Sequence, residues 1–566
     1  MTSSSLEKVP GTLHEHLEEA SSHYNYFETN LTDNEVSKRV DEIITTNPDL
    51  LEYSEILHKG AILANDDGKI TPDRNIYTAK EIKNIEYESA HSIRSQGFAM
   101  FLVAIAGSFS AINFGMDESA VGGAQLQYIN KFNIINANVQ GTVNAAPYLA
   151  AGTLGTVSTV LLDQVLGRRA IIFISALFGI GGSLWQALAQ SFGSLLVARL
   201  FLGIGMGLNS SVVPIFIGET SPAKSRGSFL MLWQTFVAFG VMLGSVFNRA
   251  FVGLDPSISW RLMIGSSFVP PLFVVVSILF APESPRYLLT KRQAKKALEA
   301  LLSLRGNELS AARDFIILYT SLNHANEIDR IPIFKQIRFF FVDRRIRFAF
   351  LGASFLIVMQ QYCGVNILVG YTTTILVGAG VSDTNAIAGS IGIGGGCFLS
   401  TFFSSQTIDR VGRRRMLLYT FPVLGGCLFW LGGSLYISDS KSRLGSALTS
   451  MYVFVFGFGL GIGPISWIYN AEVYPLHVRA FGSTVGMTIN WILDFVLSMS
   501  WPQMNKTMTS SGGLFFYGAM NFLAFVLTYF FIPETAKLTL EEVDFVFSSG
   551  VRKFSSEKLG RLFGTN

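Results

Sequence analysis

Twelve apolar stretches, each long enough to cross a lipid bilayer, run from about residue 97 to 532 and dictate the fold class before any motif is read. A helix needs roughly 20 apolar residues to span the hydrocarbon core. Only helices and closed barrels satisfy their backbone polar groups there. These stretches are continuous, without the two-residue alternation of a barrel strand, so they read as helices. They fall at 98–121, 141–162, 170–190, 195–217, 228–248, 261–280, 348–370, 386–405, 415–437, 447–469, 480–502 and 513–532. Composition agrees, since 49% of residues are hydrophobic and only 15% are charged. The prediction is an all-α membrane protein.

Charge sets the expected orientation. Residues 1–96 hold 18 acids against 9 bases, whereas the whole chain carries a net +3, so the basic excess lies entirely beyond that tail. Alternate short loops, at 163–169, 219–227, 406–415 and 470–479, collect Arg168, Arg169, Lys224, Arg226, Arg410, Arg413, Arg414, Arg415 and Arg479, and 281–347 adds thirteen more bases. The intervening loops hold only Lys131, Arg249, Lys441, Arg443 and Lys506. Cytoplasmic enrichment of Lys and Arg then places both termini inside. Residues 1–30 lack an apolar core for a cleavable signal. The three cysteines all fall within spans, which argues against disulfides or a metal-thiolate site. All seven histidines lie outside the spans, so no intramembrane His carries protons. The sequon at Asn505 sits so close to the membrane that an unmodified loop is expected.

The chain repeats itself once. Asp163, Gly167, Arg168 and Arg169 after the second span recur as Asp409, Gly412, Arg413 and Arg414 after the eighth. Glu219, Pro222 and Arg226 recur as Glu472, Pro475 and Arg479, and Pro282-Glu283 recurs as Pro533-Glu534. The offsets of 246, 253 and 251 residues are nearly constant. Parallel six-helix halves joined by a linker are a signature of secondary transporters that rock about a central site. The expected divisions are an acidic cytoplasmic tail (1–96), one half (97–280), linker helices (281–347), the second half (348–532) and a cytoplasmic C-terminal tail (533–566). The first tail has short helical patterns at 34–44 and 77–95, and a partly disordered arm is expected there; Ser3, Ser4 and Ser5 are conceivable phosphorylation sites.

Several motifs carry a resemblance. They are Arg199-Leu-Phe-Leu-Gly203-Ile-Gly205-Met-Gly207, Pro282-Glu283-Ser284-Pro285-Arg286-Tyr287, Gln360-Gln361-Tyr362-Cys363-Gly364-Val365-Asn366, Gly463-Pro464-Ile465-Ser466-Trp467 and Pro533-Glu534-Thr535. With them, from about 98 to 545, the chain resembles the major facilitator superfamily and its sugar porter family. The stretch from Gly115 to Ala124 is similar to fungal members described as sugar, polyol or myo-inositol permeases. Four departures stand out: Glu118-Ser119-Ala120 where Thr-Gly-Val is usual, a single Tyr371 where two tyrosines are common, Asp494 where Asn is usual, and Thr535-Ala536-Lys537 for Thr-Lys-Gly.

A sugar or polyol offers hydroxyls and no charge, so its site needs side chains that both donate and accept, with rings for the C–H faces. Intramembrane Gln234, Gln360, Gln361, Asn366 and Asn490 supply amides, and Trp467 and Trp491 supply rings; the resemblance gives most of the weight to substrate contact over interhelical glue. Residues 361 and 366 turn about 140° apart on an ideal helix, and converge only if it unwinds, as Gly364 permits. Asp494 is expected to be neutral and to donate to a substrate hydroxyl. Asp117 and Arg199 lie at similar depth and are expected to pair, because a lone intramembrane ion costs about 2.5–3.5 kcal/mol. The resemblance implies that Asp117 takes up a proton and releases Arg199; a purely structural pair is the alternative. Glu118 is expected to face a vestibule. Asp163, Arg168, Arg169, Glu219 and Arg226, with their copies Asp409, Arg413, Arg414, Glu472 and Arg479, are expected to latch the cytoplasmic helix ends.

The expected function is proton-coupled import of a neutral hexose, inositol or related polyol at the plasma membrane by alternating access. A facilitative uniporter and a non-transporting nutrient sensor are the alternatives. A monomer in a lipid bilayer is expected. No cofactor, metal, nucleic-acid partner or enzyme activity is expected.

Overall fold

A computed structural model describes residues 31–66, 76–327, 333–536 and 546–547. Ser3, Ser4 and Ser5, and most of the 533–566 tail, lie outside them. Contacts divide the chain into two compact units, one from Met1–Phe101 with Pro282–Arg330 and one from Leu102–Ala281 with Ile331–Asn566.

Among the described residues of the smaller unit, the helical patterns expected at 34–44 and 77–95 form helices. Helix Asp33–Thr46 presents Val36, Val40 and Ile44 at four-residue spacing, one apolar face of a 3.6-residue helix. That face buries with Leu57 and Ala61 against Leu298, Leu301 and Phe315 of linker helices Ala294–Leu304 and Glu308–Glu327. Thr78 and Glu81 open the next helix, Ala79–Ala90, with a reciprocal capping box: Glu81 N donates to Thr78 Oγ1 (3.3 Å) and Thr78 N to Glu81 Oε2 (2.7 Å). Glu88 of that helix takes Arg313 at 3.0 Å, while Asp314 takes Arg305 and Arg313 at 2.8 Å each.

Burial alone would push the Asp314 carboxyl up, but the Arg305 and Arg313 guanidiniums outweigh it and hold the group below its ordinary value. A depressed folded pKa contributes stability that is full above the unfolded value near ~3.9 and is lost as pH falls through the folded value. The arm–linker core is therefore expected to loosen only in strong acid. Amide hydrogen exchange of Ala79–Ala90 against pH checks this, and Asp314→Asn, weaker at neutral pH, should lose the acid step.

The larger unit holds the apolar helices: α1 Phe98–Lys131, α2 Ala137–Asp163, α3 Arg168–Leu188, α4 Phe192–Thr220, α5 Arg226–Phe251, α6 Pro256–Phe280, α7 Arg344–Gly378, α8 Asp383–Val411, α9 Arg413–Ser434 and α10 Ser440–Glu472. A last helical run, Leu476–Phe531, has 56 residues. At 1.5 Å per residue it would measure about 80 Å, more than twice the hydrocarbon core of about 30 Å. It breaks at Thr509, where φ is 66° and ψ is 163°, giving α11 (476–508) and α12 (510–531). Twelve apolar helices result among the described residues, the number expected. The halves begin and end at one end of the bundle, here the linker end.

α1 runs ten residues beyond its expected end at 121. Gly123 lets the side chain of Asn248 from α5 approach to a distance no Cβ would allow, and Asn248 Nδ2 donates to Ser119 O (2.9 Å). The glycines of the Arg199 motif have the same logic. Gly203 and Gly207 seat α4 on the α2 backbone at Pro147 and Ala151, and Gly205 turns the other way onto Phe178 and Ser175 of α3. Close backbone contact of this kind is how membrane helices pack.

Candidate transport site

α7 is broken where the glycine allows it. Gly364 adopts φ 96°, a left-handed conformation, and starts a new helical segment at Val365. That break brings Gln361 and Asn366 together: Asn366 Nδ2 donates to Gln361 Oε1 at 2.7 Å. Asn490 and Asp494 stand four residues apart on α11 and so share a face. Gln361 Nε2 donates to Asn490 Oδ1 (2.6 Å), Asn490 Nδ2 donates to Asp494 Oδ2 (3.2 Å), and Asn366 Nδ2 also donates to Asp494 Oδ1. Gln361, Asn490 and Asp494 are all buried. Both Asp494 oxygens accept amide N–H groups.

Replacing Gly364 by Ala would force an L side chain into the left-handed region, at about 1–2 kcal/mol, with its Cβ 3.3 Å from the Tyr517 side chain. Gly364→Ala is expected to lower the melting temperature and to weaken solute affinity together. Thermal unfolding in detergent and uptake kinetics check both.

The other expected contacts are placed differently. Gln360 turns away from the cluster and donates to Gly463 O of α10 at 3.1 Å. Trp491 crosses to the first half: its Nε1 meets Ser210 Oγ of α4 at 3.3 Å, its ring stacks on Tyr148 of α2 (centroids 6.0 Å apart) and takes the edge of Phe114 of α1 (5.4 Å). Trp467 and Gln234 are half-buried, and no described hydrogen bond joins either to the amide cluster.

Asp117 and Arg199 do meet, both almost wholly buried, at 3.7 Å. That is longer than a charge-assisted hydrogen bond of about 2.7–2.9 Å. Gln186 spans the gap, donating to Asp117 Oδ1 and accepting from Arg199 Nη1, each at 3.2 Å. Arg199 also donates to Val143 O (2.7 Å) and Asn144 O (3.3 Å). The guanidinium is thus held by neutral acceptors that remain if Asp117 loses its charge.

Asn144 carries this centre onward. Its Nδ2 donates to Gln125 Oε1 (2.9 Å) and to the Tyr371 hydroxyl (3.1 Å), and its Oδ1 accepts from Tyr128 (2.5 Å). Tyr371 donates to Ser498 O on α11 at 2.7 Å, Gln125 donates to Gly370 O at 2.9 Å, and Thr373 donates to Gly122 O. One polar chain therefore runs from the buried ion pair, through α1 and α2, to α7 and to the helix that holds Asn490 and Asp494.

The family model described as "Sugar (and other) transporter" matches residues 95–547. The chain belongs to the sugar transporter family. It is 30% identical to the galactose-proton symporter of Escherichia coli strain K12 over 449 residues, 79% of this chain and 93% of that protein. It is also 30% identical to polyol transporter 5 of Arabidopsis thaliana, covering 79% and 86% of the two chains. A partially occluded, inward-open structure of the E. coli xylose transporter XylE superposes with a TM-score of 0.67 over 78% of this chain and 99% of the other, at 22% identity. XylE bound to 6-bromo-6-deoxy-D-glucose gives 0.66. These likenesses establish the major facilitator fold. The protein is a multi-pass membrane protein of the sugar transporter family, not an enzyme.

In this sugar transporter the linker-end clusters keep their twofold pattern. Arg168 grips Glu219 with two donors (2.9 and 3.1 Å) and reaches Asp163 at 3.0 Å; Arg413 reaches Glu472 at 3.0 Å. Arg169 and Arg414 take another place. They donate to the last carbonyls of α6 (Ile278 O, 2.9 Å, and Leu279 O) and of α12 (Tyr529 O, 2.8 Å), capping helix ends whose carbonyls lack intrahelical partners. Arg479 donates to Tyr474 O (3.1 Å), and Arg226 opens α5 at the surface. The Asp409 side chain lies outside the described ones. Glu534, unassigned by the sequence reading, accepts from the backbone N–H groups of Arg413 (2.8 Å) and Arg414 (3.1 Å) at the start of α9. A carboxylate there complements the positive helix N-terminus. Its neighbour Thr535 donates to Glu472 at 3.1 Å.

Proposed function

We propose that this protein imports a neutral polyhydroxylated solute, of the hexose or inositol class, by alternating access between its two six-helix halves. The observation that carries the reading is the Gln361–Asn366–Asn490–Asp494 cluster at the break in α7. Amides donate and accept at once, so solute hydroxyls can replace the bonds the cluster makes to itself. Gln234, Trp467 and Trp491 complete the proposed contact set when the halves close on solute. The printed names of relatives, a galactose-proton symporter and a polyol transporter, support the same substrate class.

The loose Asp117–Arg199 pair supports coupling to protons in this reading. A proton on Asp117 removes the negative partner while Val143 O, Asn144 O and Gln186 keep Arg199 in place. The change reaches α7 and α11 through Asn144 and Tyr371, and so biases which end of the bundle opens. The linker end, rich in Arg, faces the cytoplasm in this reading, with both termini inside at the plasma membrane. Arg168, Arg413 and their acids latch that end when it is shut. The working unit is a monomer.

Uptake of labelled D-galactose, D-xylose, D-sorbitol and myo-inositol by a host lacking its own carriers tests this. Expected is uptake of at least one solute that alkalinises the medium and collapses with a protonophore. Uptake indifferent to the protonophore would make the protein a uniporter. No uptake, with a nutrient response intact, would make it a sensor.

A further inference from the structure

Glu118 follows Asp117 on α1 and is 9% exposed. No hydrogen bond or ion pair reaches its carboxyl group among the described residues, although its neighbours are fully engaged. Arg199 is held by Asp117, Gln186 and two backbone carbonyls, and each Asp494 oxygen already accepts an amide N–H. The titratable groups that face Glu118 are Asp117 on its own helix, Tyr148 on α2, Cys397 on α8 and Asp494 on α11. None of them can supply a positive charge. With Arg199 as the cation of this centre, three ionised carboxylates would leave it two negative charges in excess, where each uncompensated ion costs about 2.5–3.5 kcal/mol. A neutral solute cannot remove that excess; protons can. Asp494 has the donors a carboxylate needs and Glu118 has none, so the proton is needed at Glu118.

We propose that Glu118 is a second proton carrier beside Asp117, so that two protons accompany each solute. A carboxyl oxygen of Glu118 takes its proton from water on the loading side and returns it to water on the releasing side, and no other bond is made or broken. This rests on the reading of the protein as a proton-coupled importer.

The test uses the full chain in liposomes, with an imposed pH gradient, the membrane potential clamped at zero and D-galactose as probe. Expected is an accumulation ratio that follows the square of the proton ratio for the natural chain and for Glu118→Asp. Glu118→Gln should follow the first power and still exchange galactose. A first-power natural chain, or a square law that survives in Glu118→Gln, overturns the proposal. Import of D-glucosamine without protons, with galactose refused, also overturns it, because the solute then brings the charge. If neither sugar moves, the transport reading fails on its own account, and infrared difference spectra of the same liposomes decide. A protonated-carboxyl band that forms on acidification and is missing in Glu118→Gln supports the assignment; an unchanged spectrum sinks it.

Discussion

Arg199→Ala is expected to abolish solute accumulation and to destabilise the protein by about 3–5 kcal/mol, because it strands Asp117 as an unpaired buried charge. The loss exceeds that of the pair alone. Arg199 also donates to Val143 O and Asn144 O, and those carbonyls on α2 would be left without that partner. Asp117→Asn should behave differently. The amide keeps the shape and can still bond Gln186, and Arg199 retains its neutral acceptors. The melting temperature should fall less than in Arg199→Ala, galactose exchange should persist, and accumulation should drop from the square of the proton ratio to no more than its first power. Thermal unfolding of both purified variants, beside exchange and accumulation assays, separates the two effects. Equal losses in the two variants would mean that the pair is structural only.

The second large effect is expected at Gln361. This side chain links the two parts of the cluster, donating to Asn490 and accepting from Asn366 across the break in α7. A neutral hydrogen bond contributes about 0.5–1.5 kcal/mol, so the two that this amide can make reach about 1–3 kcal/mol, and each 1.4 kcal/mol is tenfold in affinity. Gln361→Ala should therefore raise the solute KM by roughly 10- to 100-fold, with Vmax less affected. Gln360→Ala is the contrast. Its amide ties α7 to Gly463 O of α10, so its loss should lower the melting temperature more than the affinity. Uptake rates measured over a wide solute range give both constants. If the two variants exchange these signatures, the cluster has been assigned to the wrong glutamine.

Much of this was legible in the residues. Span number, the internal repeat and the meeting of Asp117 with Arg199 follow from hydropathy, loop motifs and the cost of a lone ion. The break at Gly364 was readable because Gln361 and Asn366 cannot converge on an intact helix. What lay beyond reach was pairing between distant segments. Asn144 and Gln186 are intramembrane amides as conspicuous as Gln361, yet only the packed fold shows that Gln186 joins Asp117 to Arg199 and that Asn144 joins Arg199 to Tyr371. Gln125 was hidden because α1 continues past its apolar run. In the arm, the spacing of Val36, Val40 and Ile44 signalled a buried face, but the surface that buries it belongs to a linker some 260 residues away. Arg169 and Arg414 read as charges for a latch, whereas helix ends needing donors claim them.

The central claim is that the two halves move about the amide cluster, opening one end as the other shuts. Spin labels at Asn138 and Lys441 report the separation of the halves at the end away from the linker, and labels at Ala223 and Arg415 report it at the linker end; all four positions are exposed. Distances in liposomes, with and without a transported solute and at two proton concentrations, are expected to change in opposite senses at the two ends. Both pairs staying fixed, or widening together, would contradict the account.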